Sequence, residues 1–387
     1  MSLVHDFDEV VNRRGTDSKK YSVYPEDVIP MWIADSDFKA PQPVVDALVA
    51  RMQQGVYGYT PISERLKKAG AGWQKKRFGW DVDPEWVEFV PGVITGLICA
   101  VRALSQPGDN IVIQSPCYPP FSDLSDHNGR HLLRNKLVLT GDHYEIDFED
   151  FEEKCKDPRT KLFILCNPQN PTGHVFTKEE LTKLGNICMK YHVIVLADEI
   201  HQDLVFGEHK HIPSLSVGDY DKIMVSIVAA SKTFNIAGAQ NSMVIIPDEE
   251  LQEKWDTYVK GNRVLGGNAF GYVAAEAAYA GGGEWLQSVL TQINENYHYL
   301  KTELEQNLPE AVVTPLEGTY LCWINLGAYV KAEDMKEIIQ KKCHLAVDFG
   351  DWFGGEHFGT FIRMNLATSR ENVEIGVNAL IQNLMKK

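Results

Sequence analysis

Residues 162–173 read LFILCNPQNPTG, and this stretch gives the strongest indication of the fold. Its first five residues are apolar and uncharged, which is the pattern of a β-strand buried on both faces. The seven residues that follow, 167–173, are polar and contain two prolines, which is typical of a loop. The stretch therefore predicts a buried strand of a parallel sheet that ends in a polar loop.

Short apolar runs of the same kind recur along the chain and alternate with helical patterns. Residues 177–191 form one such helical pattern, in which Thr177 and Glu180 have the spacing of a capping box. Because strands buried on both faces need helices on both sides, the alternation predicts an α/β fold with a doubly wound, mostly parallel sheet. The other strand-like runs are residues 111–114, 193–197, 223–228 and 243–246.

The pattern changes near residue 282, where three consecutive glycines end at Gly283. A long amphipathic stretch follows, and then two short strand-like runs at 320–325 and 360–365. Thr368 and Glu371 have capping-box spacing at the start of the last predicted helix. We therefore expect a large domain at residues 41–282, a smaller α+β domain at 283–387, and an N-terminal arm at 1–40 that joins the small domain.

Charge and cysteine content limit the class of protein. The 38 Lys and Arg residues against 53 Asp and Glu residues give a net charge of −15, which argues against nucleic acid or an anionic membrane as partner. The 7 cysteines are widely spaced without a Cys-x-x-Cys pair, which indicates a reducing compartment and argues against a cysteine-based zinc site. With neither a signal-peptide pattern nor a long apolar stretch, we expect a cytoplasmic protein.

Polar residues follow three of the predicted strands, each at the carboxyl end. Asn170 lies in the loop after the first strand, Asp198 directly follows the second, and Lys232 lies just beyond the third. Each has an ordinary explanation, as a turn former, a helix N-cap and a solvated loop lysine. Ligands of open α/β sheets bind outside the carboxyl ends of the strands, however, so the three together predict one polar site.

A lysine and a carboxylate in one site have a specific chemistry. A partly desolvated lysine has a lowered pKa and can condense with a carbonyl to form a Schiff base. A carboxylate can hold a heteroaromatic nitrogen protonated, and the two together describe a site for pyridoxal 5′-phosphate (PLP). The phosphate needs a turn at a helix N-terminus, which Gly92, Val93 and Ile94 would supply through backbone N–H groups.

Taken in order, these motifs resemble those of the fold-type I PLP enzymes, the class I and II aspartate aminotransferase superfamily, over nearly the whole chain. The most specific is 167–173, which matches the pattern N-P-x-N-P-T-G. The resemblance implies a seven-stranded sheet, PLP as the cofactor and a homodimer. The stretches most similar to the bacterial cystathionine β-lyase, or C–S lyase, branch are residues 32–38, 118–121, 198–201 and 231–238.

The resemblance also implies roles for single residues. Lys232 would be the Schiff-base lysine, Asp198 the partner of the pyridine nitrogen, and Asn170 a contact of the cofactor's O3′ and of the substrate carboxylate. The other implied residues are Tyr118, His201, Gly92, Val93, Ile94 and Ser231 for the cofactor, Arg363 for the substrate carboxylate, and Tyr59 for the phosphate of the neighbouring subunit. Tyr118, His201 and Arg363 also have purely structural interpretations, as a core aromatic, a hydrogen-bonded histidine and a surface arginine.

Departures from the aminotransferase pattern favour β-elimination over transamination. Gln240 stands where aminotransferases usually have a phosphate-binding arginine, and Ile94 and Ala229 replace common hydroxyl residues. No second arginine clamp for a dicarboxylate is evident. The preferred hypothesis is a PLP-dependent C–S β-lyase, which would cleave L-cystathionine or a related cysteine derivative to a thiol, pyruvate and ammonia. A class I/II aminotransferase is the enzymatic alternative.

Three other possible functions are not those of a PLP-dependent enzyme. A PLP-binding regulatory protein is the non-enzyme alternative, because some members of the resembled branch also restrain a transcription activator. A zinc hydrolase built on His201, His209 and His211 lacks the His-Glu-x-x-His spacing, and we expect no metal. Nucleotide binding finds no support, since neither a P-loop nor a Gly-x-Gly-x-x-Gly motif occurs.

Overall fold

The computed structural model describes residues 7, 9, 11–264 and 266–385. Its strands, in chain order, are β1 Ile29–Pro30, β2 Val87–Val90, β3 Asn110–Ser115, β4 His131–Thr140, β5 His143–Ile146, β6 Thr160–Cys166, β7 Ile194–Asp198, β8 Met224–Val228, β9 Ser242–Ile245, β10 Val312–Val313, β11 Leu321–Asn325, β12 Leu345–Ala346, β13 Asp348–Phe349 and β14 Phe361–Asn365.

The helices alternate with the strands in the first two thirds of the chain. In chain order they are α1 Lys19–Ser22, α2 Gln42–Gln53, α3 Glu64–Phe78, α4 Val93–Leu104, α5 Pro120–Asp126, α6 Phe148–Lys156, α7 Lys178–Tyr191, α8 Ala230–Thr233, α9 Glu249–Gly261, α10 Ala269–Gly281, α11 Gly283–Asn307, α12 Asp351–Gly354 and α13 Arg370–Leu384. A π-helical segment, Glu337–Lys342, and several short 3₁₀ turns complete the described elements.

The large sheet has eight strands in the order β2-β9-β8-β7-β6-β3-β4-β5. The strands β8, β7, β6, β3 and β4 pair in parallel, whereas β9 and β5 are antiparallel to their neighbours. The doubly wound, mostly parallel sheet is therefore confirmed, but the expected count of seven strands is wrong. The predicted runs correspond to β3, β6, β7, β8 and β9, so β2, β4 and β5 were not predicted. The strands β4 and β5 form a hairpin with many exposed residues, so they lack the continuous apolar run of the central strands.

Helices cover both faces of this sheet because each has one apolar face. On α4 the residues Val93, Leu97, Val101 and Leu104 are buried in the cluster that also contains the β3 and β8 side chains. On the other side, α7 begins with the predicted capping box. The Thr177 side chain accepts from the Glu180 backbone N–H at 3.1 Å, and Glu180 accepts from Thr177 in return.

The C-terminal part of the chain forms a second sheet of four antiparallel strands in the order β10-β11-β14-β13. Residues near the N-terminus join this part, since β1 pairs in parallel with β12. The helix α13 begins one residue later than the capping-box spacing suggests. Its N-cap is Ser369, whose side chain accepts from the Asn372 backbone N–H, whereas the Thr368 hydroxyl accepts from the Asn372 side chain.

The long helices of the described residues are amphipathic rather than uniformly apolar. The longest, α11, carries its buried residues along one face and charged residues along the other. Within the described ranges, no helix combines the length and the apolar character that crossing a bilayer requires.

Candidate active site

A cavity of about 550 Å³ opens at the carboxyl ends of the central strands. The register of the sheet places Cys166, Asp198 and Ile227 side by side on β6, β7 and β8, so the loops after these strands meet at one edge. Ten of the eleven predicted site residues line this cavity: Gly92, Val93, Ile94, Tyr118, Asn170, Asp198, His201, Ser231, Lys232 and Arg363. Tyr59 does not line it.

Lys232 lies in the one-turn helix α8, directly after β8. Its ammonium group donates a hydrogen bond to the backbone carbonyl of Ala34 at 2.6 Å. The pKa of Lys232 is lowered to about 8: burial lowers it most and Arg363 also lowers it, while Asp35 and Asp198 oppose the shift. A substantial fraction of this amine is therefore unprotonated and nucleophilic near neutral pH, unlike that of a solvated lysine.

Asp198 is the last residue of β7, and its side chain is buried beneath the cavity. One carboxylate oxygen, Oδ1, accepts a hydrogen bond from the Ile200 backbone N–H at 3.1 Å. Burial raises the pKa of this carboxyl to about 7, and the neighbouring Glu199 adds to the shift. A turn rather than a helix follows, so Asp198 is not a helix N-cap. A cationic partner at the cavity floor would favour its ionised form.

Arg363 is 2% exposed and lies on β14, so it is not a surface arginine. Its Nη1 donates to the Asn170 side-chain oxygen at 2.8 Å, and its Nη2 donates to Asp348. The guanidinium carbon lies 4.7 Å from the centre of the Phe353 ring. Its Nε–H is buried without a hydrogen-bond acceptor among the described residues. An unused donor on a held arginine suits a carboxylate ligand.

The first turn of α4 forms the opposite end of the cavity. Here the expectation for Gly92 needs correction, because its N–H already donates to the Val90 carbonyl at 2.9 Å. The next amides, of Val93, Ile94 and Thr95, occupy first-turn positions that have no acceptor within their own helix. These three can therefore face an anion, and Thr95 joins the residues that the sequence suggested.

The rings of Tyr118 and His201 form part of the cavity wall between Arg363 and the first turn of α4. Tyr118 meets the Phe121 ring at 5.9 Å and the Trp352 ring at 6.3 Å, edge-on in both cases. His201 is 2% exposed, and its Nδ1 lacks a hydrogen-bond partner within the described part of the chain. Burial lowers the pKa of His201 well below the usual range, and Lys232 and Arg363 lower it further, so the ring is neutral. An unpartnered polar atom at a cavity wall fits a ligand contact.

Several lining residues were not predicted from the sequence. Asp348, Trp352, Gln240 and Asn241 all line the cavity, although only Gln240 had been noticed, as a departure from the aminotransferase pattern. Asp348 stands in a two-residue strand without any motif. Only its pairing with Arg363 across β13 and β14 brings it into the site, and that pairing is not readable from local sequence.

Tyr59 is fully exposed and lies in the irregular segment between α2 and α3. The same segment exposes Val56 and Tyr57, and the adjacent face of α2 exposes Val45, Val49 and Met52. Within one chain, Tyr59 therefore makes no part of the cavity.

These side chains fit pyridoxal 5′-phosphate by the chemistry of their donors and acceptors. Lys232 offers a desolvated amine for an aldehyde, and Asp198 offers a buried carboxylate for a ring nitrogen. The first-turn amides of α4 suit the phosphate, while the unpartnered Nδ1 of His201 suits a polar ring substituent. Every polar group of the cofactor thus has a complementary group in the cavity.

The fold and this site define a PLP-type transferase architecture, and the family model for aminotransferase class I and II matches residues 26–380. The chain therefore belongs to the class I and II aminotransferase family. It is 40% identical over 382 residues to cystathionine beta-lyase PatB of Bacillus subtilis, covering 97% of this chain and 98% of that protein.

Solved structures with this architecture include two proteins described as PLP-bound. A putative aminotransferase from Clostridium difficile 630 superimposes with a TM-score of 0.95 at 37% identity, covering 99% of this chain and 100% of that one. A C–S lyase from Staphylococcus hominis superimposes with a TM-score of 0.94 at 33% identity, covering 100% of this chain and 99% of that one.

Proposed function

We propose that this protein is a PLP-dependent C–S β-lyase. It cleaves the C–S bond of L-cystathionine or a related cysteine derivative by β-elimination, which releases a thiol and 2-aminoacrylate. Water then hydrolyses the 2-aminoacrylate to pyruvate and ammonia. The observation that carries the proposal is the convergence of Lys232, Asp198 and Arg363 on one cavity. Relatives along the full length of the chain that are named as C–S lyases support the choice of reaction.

The reaction needs a proton to be removed from the substrate Cα. Bound pyridoxal phosphate supplies an electron-accepting ring in conjugation with this carbon. Arg363 binds the substrate carboxylate through its free N–H groups, which orients the Cα–H bond toward the Lys232 amine. The amine, with its pKa lowered to about 8, accepts the proton, and a thiolate then leaves from Cβ.

Asp198 supports this step through charge. With the cofactor bound, its buried carboxylate would pair with the ring nitrogen and favour the protonated form of that nitrogen. A unit charge pair at about 4 Å with an effective dielectric constant of ~20 contributes about 4 kcal/mol before desolvation is counted. The neutral His201 adds a hydrogen-bonding nitrogen without adding a charge.

An absorption spectrum and a product assay test the proposal. The purified protein is expected to absorb visible light as a lysine-bound PLP protein and to release pyruvate and free thiol from L-cystathionine. Lys232→Ala is expected to lose the visible band and at least about 10³ of the rate. The matched control is Lys222→Ala, an exposed lysine before β8, which should change neither.

Two results would contradict the proposed lyase function and favour an alternative. A protein that passes its amino group to a 2-oxo acid without releasing pyruvate is an aminotransferase, the second candidate, which the family model favours. A protein that binds PLP and turns over neither substrate is the regulatory alternative.

We further propose that the working unit is a homodimer in which Tyr59 of one subunit reaches the phosphate of the other. Tyr59 is fully exposed in one chain, and the apolar residues exposed beside it form a surface typical of protein contacts. Mixing inactive Lys232→Ala with Tyr59→Ala subunits should restore part of the activity, since one site of each mixed dimer keeps both residues. An active monomer in light scattering would contradict the proposal.

The cellular location is also a proposal. All seven cysteines are free and buried, which supports a protein that works in the reducing cytoplasm. Activity that is unchanged by a thiol reductant, together with seven titratable thiols after unfolding, is the expected result.

A further inference from the structure

Asp348 is a carboxylate that the proposed reaction does not use, although it lines the same cavity. It stands directly opposite Arg363 in the antiparallel pair β13–β14. Its Oδ2 accepts a hydrogen bond from the Arg363 Nη2, and its side chain is 10% exposed. Because the strand register fixes the two residues together, Asp348 is a built-in part of the end of the cavity that binds the substrate carboxylate.

Asp348 changes the charge that a substrate meets there. Arg363 keeps N–H groups for one carboxylate, but Asp348 already balances its positive charge. The other basic residues that line the cavity among the described residues are Lys232 and Lys19. The proposed reaction uses Lys232 at the substrate Cα, and Lys19 is exposed at the rim. Among the lining residues that the structure describes, no buried cation is left to receive a second anionic group.

The field of Asp348 also reaches the space beyond Arg363. Burial raises the pKa of Tyr118, Arg363 lowers it, and both Asp198 and Asp348 raise it. Tyr118 contacts Trp352, and both rings line the cavity. A substrate whose α-carboxylate binds Arg363 has its Cβ only two bonds away from that carboxylate carbon. Its side chain therefore extends within the reach of Asp348.

We propose that Asp348 is a specificity-determining residue, which rejects amino acids whose side chain carries a net negative charge. It admits those whose thioether substituent is cationic or has no net charge, as the zwitterionic substituent of L-cystathionine does. This inference rests on the proposed function for the position of the leaving group. Specificity here is the difference in affinity between neutral and anionic substrates. The negative charge of Asp348 lowers the affinity for the anionic ones.

Three cysteine thioethers of similar length provide the test. S-ethyl-L-cysteine, S-(2-aminoethyl)-L-cysteine and S-carboxymethyl-L-cysteine end in a neutral, a cationic and an anionic group. In the wild type, kcat/KM for the carboxymethyl compound should lie at least about tenfold below that for the ethyl compound. Asp348→Asn, which keeps the shape and an acceptor for Arg363, should reduce this penalty to about twofold or less, while Asp348→Glu should retain most of it.

The result that overturns the inference is a carboxymethyl penalty that Asp348→Asn leaves unchanged, or a penalty absent from the wild type. The ratio between substrates is the readout, so a general loss of activity or stability in a variant does not imitate the effect. If Asp348→Asn fails to fold, Asp348→Ser, which also removes the negative charge, takes its place and should reduce the carboxymethyl penalty in the same way; an unchanged penalty would overturn the inference.

A second measurement separates this inference from the proposed reaction. L-norvaline, L-ornithine and L-glutamate lack a leaving group on Cβ, and their dissociation constants can be read from the initial change in visible absorption. If no thioether is cleaved, the proposed function fails. The inference then still stands on L-glutamate binding at least about tenfold more weakly than L-norvaline, with that gap closing in Asp348→Asn. Equal binding of the two would overturn it.

Discussion

At one end of the cavity an arginine side chain is paired with a carboxylate and an amide, and at the other end the first turn of a helix presents backbone amides. The proposed carboxylate-binding end consists of Arg363, Asn170 and Asp348, in which Arg363 donates hydrogen bonds to both of the other residues. The phosphate-binding end consists of the start of α4 with Ser231 and Gln240 nearby, and no arginine lines it among the described residues. Both ends are suited to anions, but by different means.

Whether the anion-binding groups belong to side chains or to the backbone determines which substitutions each end can tolerate. At the carboxylate-binding end the charges belong to side chains, so single substitutions remove or add a whole charge. At the phosphate-binding end the donors belong to the backbone, whose positive potential comes from the helix dipole and unpaired N–H groups. At the phosphate-binding end, only a substitution that changes the backbone conformation or adds a charge should alter the affinity for phosphate.

The largest effect is expected for Arg363→Leu. It removes the carboxylate clamp and leaves Asp348, whose side chain is 10% exposed, without its partner. Truncating one member of a buried charge pair, here that of Arg363 with the substrate carboxylate, costs about 2–5 kcal/mol, so kcat/KM for any amino acid should fall by roughly 30- to 4,000-fold. The PLP content, measured after alkaline release, should stay near that of the wild type, because the phosphate-binding end is untouched.

The double variant Arg363→Leu/Asp348→Asn separates substrate binding from stability. Removing the unpaired charge should recover part of the melting temperature that Arg363→Leu loses, since a buried uncompensated carboxylate is costly. It should not recover kcat/KM. A double variant that regains activity would show that Arg363 does not bind the substrate.

A smaller effect is expected for Gly92→Ala at the phosphate-binding end. Gly92 has φ of +107° and open space where a Cβ would lie, so the cost of the substitution is backbone strain alone. Strain of about 1–3 kcal/mol would rotate the turn before α4 and weaken PLP binding by roughly 5- to 100-fold. With saturating PLP, kcat should be nearly unchanged.

Gly79→Ala is the matched control for this variant. Gly79 also has positive φ and open space, but it ends α3 away from the cavity. It should lower the melting temperature without changing the dissociation constant of PLP. Equal weakening of PLP binding by both variants would show that the effect of Gly92→Ala is global rather than local.

Parts of this site could be predicted from sequence because its residues follow apolar runs in a fixed order. Asn170, Asp198 and Lys232 each come at or just after the end of a buried strand, and parallel pairing brings those ends together. Asp348 could not be found this way. Its place depends on which partner a two-residue strand selects, and such pairing is set by the tertiary structure.

The errors have similar physical reasons. The strands β4 and β5 were not predicted because they form a half-exposed edge hairpin, in which alternation replaces a continuous apolar run. Gly92 was assigned a phosphate contact because hydrogen bonds within a turn cannot be read from residue types. The domain boundaries at residues 41 and 283, and the roles of the other individual site residues, stay predictions.

The pH dependence of PLP capture sharpens the comparison, because Lys232 lies between the two ends. Only the unprotonated amine attacks an aldehyde, and the pKa of Lys232 is lowered to about 8. The rate at which apoprotein reacts with PLP should therefore rise about tenfold per pH unit below that pKa and level off above it. An ordinary lysine would continue to gain up to about pH 10.4.

Asp198→Asn is the control for this profile, because Asp198 also titrates nearby, with a pKa raised to about 7. The variant should keep the rise but move its midpoint to lower pH, since the carboxylate raises the pKa of Lys232. Stopped-flow absorption gives the rates. A rate in the wild type that is still rising tenfold per unit at pH 10 would contradict the lowered pKa.

The smallest effect is expected for Gln240→Arg, which adds a charge to the phosphate-binding end. Gln240 is exposed at the rim, so an added guanidinium is well solvated and its attraction for phosphate is worth about 1 kcal/mol or less. PLP should bind up to about fivefold more tightly at low salt, and the gain should shrink as salt rises. The control is Gln287→Arg, the same change on the exposed face of α11. If Gln240→Arg tightened PLP binding by 100-fold or more, as estimated for a desolvated charge pair (~3 kcal/mol), the backbone amides would not be the main source of phosphate affinity. Side-chain charge would then contribute to anion binding at both ends, and the two ends would differ only in the size of that contribution.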